Sequence, residues 1–134
     1  MKEVEQMIYT TLANDATLTS LAPGGVWRGV APTGTDDVFV VFNLQGEVDQ
    51  YTFGVRAMLD GVYQIKAVQA GGSASGAWDA AERIDALITD QSLTCSNGTV
   101  LLARRQQIVS FTETDGGEMY QHVGGLFSLI VQED

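Results

Sequence analysis

The longest uninterrupted apolar run in this chain is five residues, Val38 to Phe42. A membrane-spanning helix needs roughly 20, so this run has the length of a strand, and the chain reads as a soluble one. At 134 residues with 45% apolar content there is enough material for one continuous core and one domain spanning 1–134. The opening Met1-Lys2-Glu3-Val4-Glu5 sets two acids where a secretory signal carries basic residues and an apolar block, so nothing directs the chain to export. Cys95 stands alone, which excludes an intrachain disulfide and any Cys-Cys or Cys-His zinc spacing and fits a reducing cytoplasm.

Charge narrows the function classes. Seventeen acids against seven Lys and Arg give a formal net charge of -10. Gripping duplex DNA requires cations that displace phosphate counterions, and Arg104-Arg105 is the one adjacent basic pair, so specific nucleic-acid binding is not expected. The plain role of the acids is solubility.

Along the chain, Val4, Met7, Ile8, Thr11 and Leu12 recur at helical spacing opposite Glu3, Glu5, Gln6, Thr10 and Asn14. Asn14-Asp15 ends that helix and caps a short turn carrying Leu18 and Leu21, before Ala22-Pro23-Gly24-Gly25 breaks the chain. Val26–Val30 and Val38–Leu44 read as strands around a loop at 31–37; the segment 45–59 fits no single pattern. Asp60-Gly61 has the composition of a hairpin turn ahead of the alternating Tyr63, Ile65 and Ala67. After the connector 70–76, with Ser73 or Ser75 as cap, a helix to about Gln91 presents Ala77, Ala80, Ala81, Ile84, Leu87 and Ile88 on one stripe, with Asp79 and Arg83 paired one turn apart. Ser96-Asn97-Gly98 leads into a strand from Val100 to Thr112, and Asp115-Gly116-Gly117 separates it from a last strand, Met119 to Gln132. The expected class is α+β: a mainly antiparallel sheet of about four to six strands with two helices packed on one face.

Catalytic constellations are missing from this pattern. No glycine segment ends in the Gly-Lys-Ser/Thr of a phosphate loop, and none has dinucleotide spacing. His122 is the single histidine and lies at a strand start, with no Gly-x-Ser-x-Gly turn anywhere to supply a nucleophile. The acids of Glu113–Glu118 do not match a calcium loop and read as a solvated hairpin tip. Asp36-Asp37 and the Glu47, Asp49 pair read as solvated acids in exposed loops rather than a catalytic carboxylate pair. Trp27 and Trp78 occupy packing positions in a strand and a helix. No catalytic residue, cofactor or metal is assigned.

The order of these elements resembles the bacteriophage tail-completion proteins, also called tail-terminator or head-to-tail joining proteins, over nearly the whole chain. The resemblance rests on the N-terminal helix ending in Leu18-x-x-Leu21, the Gly-x-Val-Trp-Arg-Gly strand followed by Ala31-Pro32, and the run Val38–Phe42. It continues through Tyr63-Gln64-Ile65-Lys66-Ala67, the alanine-rich helix Ala77–Ile88, Tyr120-Gln121-His122-Val123 and Leu126-Phe127-Ser128-Leu129. Gly124-Gly125 interrupts a final strand that the family keeps unbroken, and a bulge is expected there. The resemblance implies a non-enzymatic virion protein of the head-proximal tail, assembled in the host cytoplasm. It implies a six-membered homo-oligomeric ring that caps the tail tube and docks the head, with the tail tube protein and a head-completion or connector protein as partners. DNA would pass through without specific binding.

A ring needs a head-to-tail contact repeated until it closes. The expected interface is the irregular segment, through Glu47, Asp49, Gln50, Tyr51 and Phe53, together with the Asp115 to Glu118 tip beside it. Asp36, Asp37, Glu133 and Asp134 are the candidate acids of a lumen that denies DNA phosphates a partner. Two alternatives stand beside this reading. One is another connector or a tail-tube subunit, which a long exposed hairpin pairing along a tube would favour. The other is a ligand-binding domain with Trp27, Tyr63 or His122 in a pocket between helix and sheet.

Overall fold

The computed structural model describes the backbone of residues 1–134 and the side chains of all but residues 52 and 55. Helix α1 (Lys2–Ala13) buries Val4, Met7, Ile8 and Leu12, positions three or four apart that fall on one stripe. Asp15 then caps α2 (Ala16–Leu21), its carboxylate accepting the Leu18 N–H at 2.8 Å. Gly25, at φ +93°, turns the chain into the short strand β1 (Val26–Arg28).

β1 runs parallel to β2 (Phe39–Thr52), which forms a long antiparallel hairpin with β3 (Val55–Ala70). The segment 45–59, unassigned from sequence, is the outer half of this hairpin. Its turn is Phe53-Gly54, both at positive φ (52° and 79°), the conformation that a right-twisted two-residue hairpin requires. The turn expected at Asp60-Gly61 does not exist: these residues pair with Val48 and Glu47 on one side and with Ile130 and Leu129 on the other. Gly61 serves packing instead. A Cβ there would come within 3.2 Å of Cε2 of Tyr63, so the glycine makes room for a buried ring.

Helix α3 (Ser75–Ile88) buries Ala77, Ala80, Ala81, Ile84 and Ile88 and stops short of Gln91. Neither serine caps it. Ala74 holds the cap position without a side-chain bond, and Gln69 Oε1 accepts the Ala77 N–H at 2.9 Å. The expected Asp79–Arg83 pair is replaced by an Arg83–Asp15 ion pair that ties α3 to the start of α2. A two-residue strand β4 (Thr94–Cys95), missed in the sequence, pairs with the start of β5 (Gly98–Asp115), and β6 (Glu118–Glu133) returns through Gly116-Gly117.

The sheet order is β1-β2-β3-β6-β5-β4, six strands in which every pairing but β1–β2 is antiparallel. The class is α+β, with three helices rather than two, a mixed sheet and a half-barrel curl. The core joins the buried helical side chains to alternate sheet positions such as Val40, Phe42, Tyr63, Ile65, Phe127 and Leu129. Each fully buried large aliphatic or aromatic side chain stabilises by about 1.5–3 kcal/mol.

No bulge occurs at Gly124-Gly125, which continue the ladder opposite Lys66 and Ile65. The register shifts lie elsewhere, at Gln45 of β2, Ala57 of β3, and Leu101 and Gln106 of β5. The glycines permit close approach instead: a Cβ on Gly124 would collide with the Ile65 carbonyl oxygen and Lys66 Cα, and one on Gly125 with Arg105 Cδ and the Gln107 carbonyl.

Candidate assembly surfaces

The two long hairpins point in opposite directions. The β2–β3 turn lies beyond the row where Met58 meets Gln132, while the β5–β6 turn lies beyond the row where Ala70 meets Tyr120. Glu47, Asp49, Gln50, Tyr51 and Phe53 therefore lie on one hairpin, and Asp115 and Glu118 sit at the opposite end of the sheet. The two parts of the expected interface are not beside each other within one subunit, because antiparallel pairing of β3 and β6 sends their turns apart.

Among the described residues, eleven large apolar side chains are exposed, and eight of them lie on these strands and turns: Leu44, Val48, Tyr51 and Phe53 on one, Leu101, Ile108, Phe111 and Met119 on the other. Such a concentration of apolar side chains is what a partner surface looks like before its partner arrives. Sequence reasoning named Tyr51 and Phe53 but missed Val48, Ile108, Phe111 and Met119. Alternation identifies a strand's two faces without saying which of them goes uncovered. Glu47 is partly buried, with the amino group of Met1 2.9 Å from its Oε1, and Arg56 joins Glu133 at 2.7 Å and Asp49 at 3.8 Å near the hairpin's turn.

The acidic candidates also separate. Asp36 and Asp37 precede β2, and Glu133 and Asp134 close β6 at the other end of the strands, with Glu133 held by Arg56. Asp134 donates its backbone N–H to the Asn97 carbonyl.

His122 lies on the sheet face opposite Ile65 and Phe127, 8% exposed, stacked on Phe111 with ring centroids 4.4 Å apart. Its Nε2 is 3.0 Å from Glu113 Oε1, and Nδ1 has no partner among the described residues. Burial pulls its pKa down, and the Glu113 contact opposes this only in part. Lys66, its pKa lowered by burial, sets Nζ 5.0 Å over the Phe111 ring. The recess here, about 440 Å³, lies under the 29–35 loop; a larger one of about 620 Å³ lies between α1 and residues 87–96. Neither joins a nucleophile to a base, and Trp27 is tied to the Gly24 carbonyl at 2.8 Å rather than facing a pocket. Trp78 is half-exposed at the start of α3. Among the described residues no group of three His, Cys, Asp or Glu is placed to hold a metal.

The sequence matches the profile of the family described as tail completion protein gp17 over residues 6–131. The chain belongs to that family. The family's description makes it a structural protein of the bacteriophage tail type. No curated protein is significantly similar in sequence. A chain from the virion of a native gene transfer agent particle shares the fold with a TM-score of 0.75 at 18% identity, covering 98% of this chain and 96% of its own. A second solved structure has a TM-score of 0.59 at 16% identity, covering 99% of this chain and 94% of its own. Both likenesses extend the fold assignment across the whole chain, helices and hairpins included.

Proposed function

We propose that this tail-completion protein closes into a homo-oligomeric ring, a hexamer in our reading, on the head-proximal end of the tail tube. The ring ends tube growth and presents the docking surface for the head connector; its part in the virion is non-enzymatic. The observation that carries this reading is the pair of oppositely directed hairpins bearing most of the exposed apolar side chains, on a chain whose family is named for tail completion. One subunit thus carries two different sticky surfaces, which is the requirement for a head-to-tail contact that repeats and closes. The net charge of -10 suits a passage for DNA, since acidic walls offer phosphates no partner.

A second reading, a tail-tube or other connector subunit, is favoured by the length of the β2–β3 hairpin, which is the kind of element that pairs along a tube. Electron microscopy of a lysate in which this gene carries a stop codon at Trp27 separates the two. Full heads beside unattached tails of abnormal length support the terminator; absence of any tail tube supports the tube subunit; normal joined particles refute both.

A further inference from the structure

The outermost strands of the sheet are only plugs. β1 covers β2 at Val40–Phe42 and no further, and β4 covers β5 at Gly98–Thr99. Thr89 and Asp90 then cap Ala103 and Arg105 of β5, Asp90 donating to the Ala103 carbonyl and Thr89 Oγ1 accepting from the Arg105 N–H. Beyond these, among the described residues, nothing pairs with the outer main-chain edge of Asn43–Tyr51 in β2 or of Gln107–Asp115 in β5. Unpaired edges of this length invite another strand.

Their placement is informative. Asn43 pairs with Gln64, Gln64 with Leu126, and Leu126 with Gln107, so Asn43 and Gln107 end one row of the sheet. From that row the open part of β2 runs toward the Phe53-Gly54 turn, and the open part of β5 runs the other way, toward Gly116-Gly117. Because the strands alternate in direction from β2 through β3 and β6 to β5, a rotated copy brings its β5 to this β2 antiparallel, the same pairing that builds the rest of the sheet.

Resting on the ring reading, we infer that neighbouring subunits join by pairing the open edge of β2 with the open edge of β5 of a second copy, making one continuous sheet around the ring. The register follows from three constraints. Without an axial slide, β1 and β4 block the contact. The slide must be an even number of rows, since an odd one would turn each side chain to the wrong face. A slide of about eight rows brings the two open stretches into full overlap, and it sets Val48 opposite Phe111 and Tyr51 opposite Ile108, four of the exposed apolar side chains in two cross-strand pairs. Asp49 then faces Ser110. Eight rows are roughly 27 Å along the strand against about 19 Å for four strand spacings, so the strands cross the ring axis at about 55°, steeper than the roughly 35–45° of ordinary closed barrels.

Cysteine pairs test the register. With the native Cys95 buried, virions are grown with Asp49→Cys and Ser110→Cys in the same chain, or with Val48→Cys and Phe111→Cys, and oxidised. Covalent ladders of this chain are expected from both pairs, and none from Asp49→Cys with Leu101→Cys. Joined tails that contain the protein but give no ladder from either pair overturn the edge pairing and leave the ring intact. Unsubstituted virions that lack the protein at the tail end overturn the ring reading itself.

Discussion

Arg83 of α3 holds Asp15 by both carboxylate oxygens, Nε to Oδ2 at 2.9 Å and Nη2 to Oδ1 at 2.7 Å, while the same carboxylate caps α2. One aspartate thus joins two helices, and its removal costs the cap as well as the ion pair. Asp15→Ala is expected to lose about 1–3 kcal/mol in denaturant unfolding, more than Arg83→Met, which keeps the cap. The Arg83 hydrogen bond is the main cause that lowers the Asp15 pKa. A depressed carboxylate stabilises fully above its unfolded value of about 4 and loses that contribution as pH falls through the folded one. Wild type and Asp15→Ala should therefore converge in stability in strong acid; an unchanged gap from pH 7 to pH 2 refutes the assignment.

Gly124 lies so close to the Ile65 carbonyl and Lys66 Cα that no side chain fits, whereas a Cβ on Gly46 meets nothing within 4 Å. Gly124→Ala is expected to destabilise by about 2–3 kcal/mol or to prevent folding, as overpacked sites do. Gly46→Ala should change stability by less than about 1 kcal/mol. Equal midpoints in thermal unfolding would contradict the close approach.

The helices were legible because their signals are local: a stripe of Val4, Met7, Ile8 and Leu12, and a capping aspartate at the next turn. The β5–β6 hairpin was legible too, its turn marked by Asp115-Gly116-Gly117, but the outer half of the β2–β3 hairpin was not. Phe53 in a left-handed conformation is an uncommon turn residue, so the real turn was hidden and the glycine at position 61 took its place in the reading. Bulges at Gln45 of β2 and Ala57 of β3 break the period-two pattern in the same hairpin. Asp79–Arg83 failed for a different reason: a carboxylate distant in sequence, fixed at a helix start, offered Arg83 a two-pronged contact that a neighbour on its own helix did not. What the sequence left illegible is which apolar face lacks a cover, since alternation marks two faces without choosing between them.

His122 carries a pKa lowered chiefly by burial. Such a group is neutral in the folded chain while the unfolded chain takes up a proton near pH 6.5. Stability should therefore fall as pH drops below about 6.5, by at most about 1.4 kcal/mol per pH unit from this one proton, until the folded histidine also titrates. His122→Phe, which keeps a ring against Phe111, should show a shallower loss between pH 7 and pH 5. Parallel curves for the two proteins would show that His122 does not contribute.

Deleting Glu47 to Phe53 removes the outer part of the β2–β3 hairpin but none of the side chains in the hydrophobic core cluster. The shortened chain is expected to remain folded by circular dichroism and to fail to complement the stop-codon phage, leaving heads and tails apart. Normal joining by this variant would remove the hairpin from the assembly surface.

Asp36 and Asp37 at one end of the strands, and Glu133 and Asp134 at the other, would mark the two mouths of a passage running along them. DNA moving through such a passage is slowed by any cation that holds a phosphate. Asp36→Lys with Asp37→Lys should slow DNA ejection from joined virions, and the effect should weaken as salt rises and screens the contact. Asp79→Lys with Glu82→Lys makes the same change in charge on the exposed face of α3 and should leave ejection unaltered. Equal slowing by both pairs would assign the effect to net charge rather than to the passage, and no slowing by either would end the acidic-wall proposal.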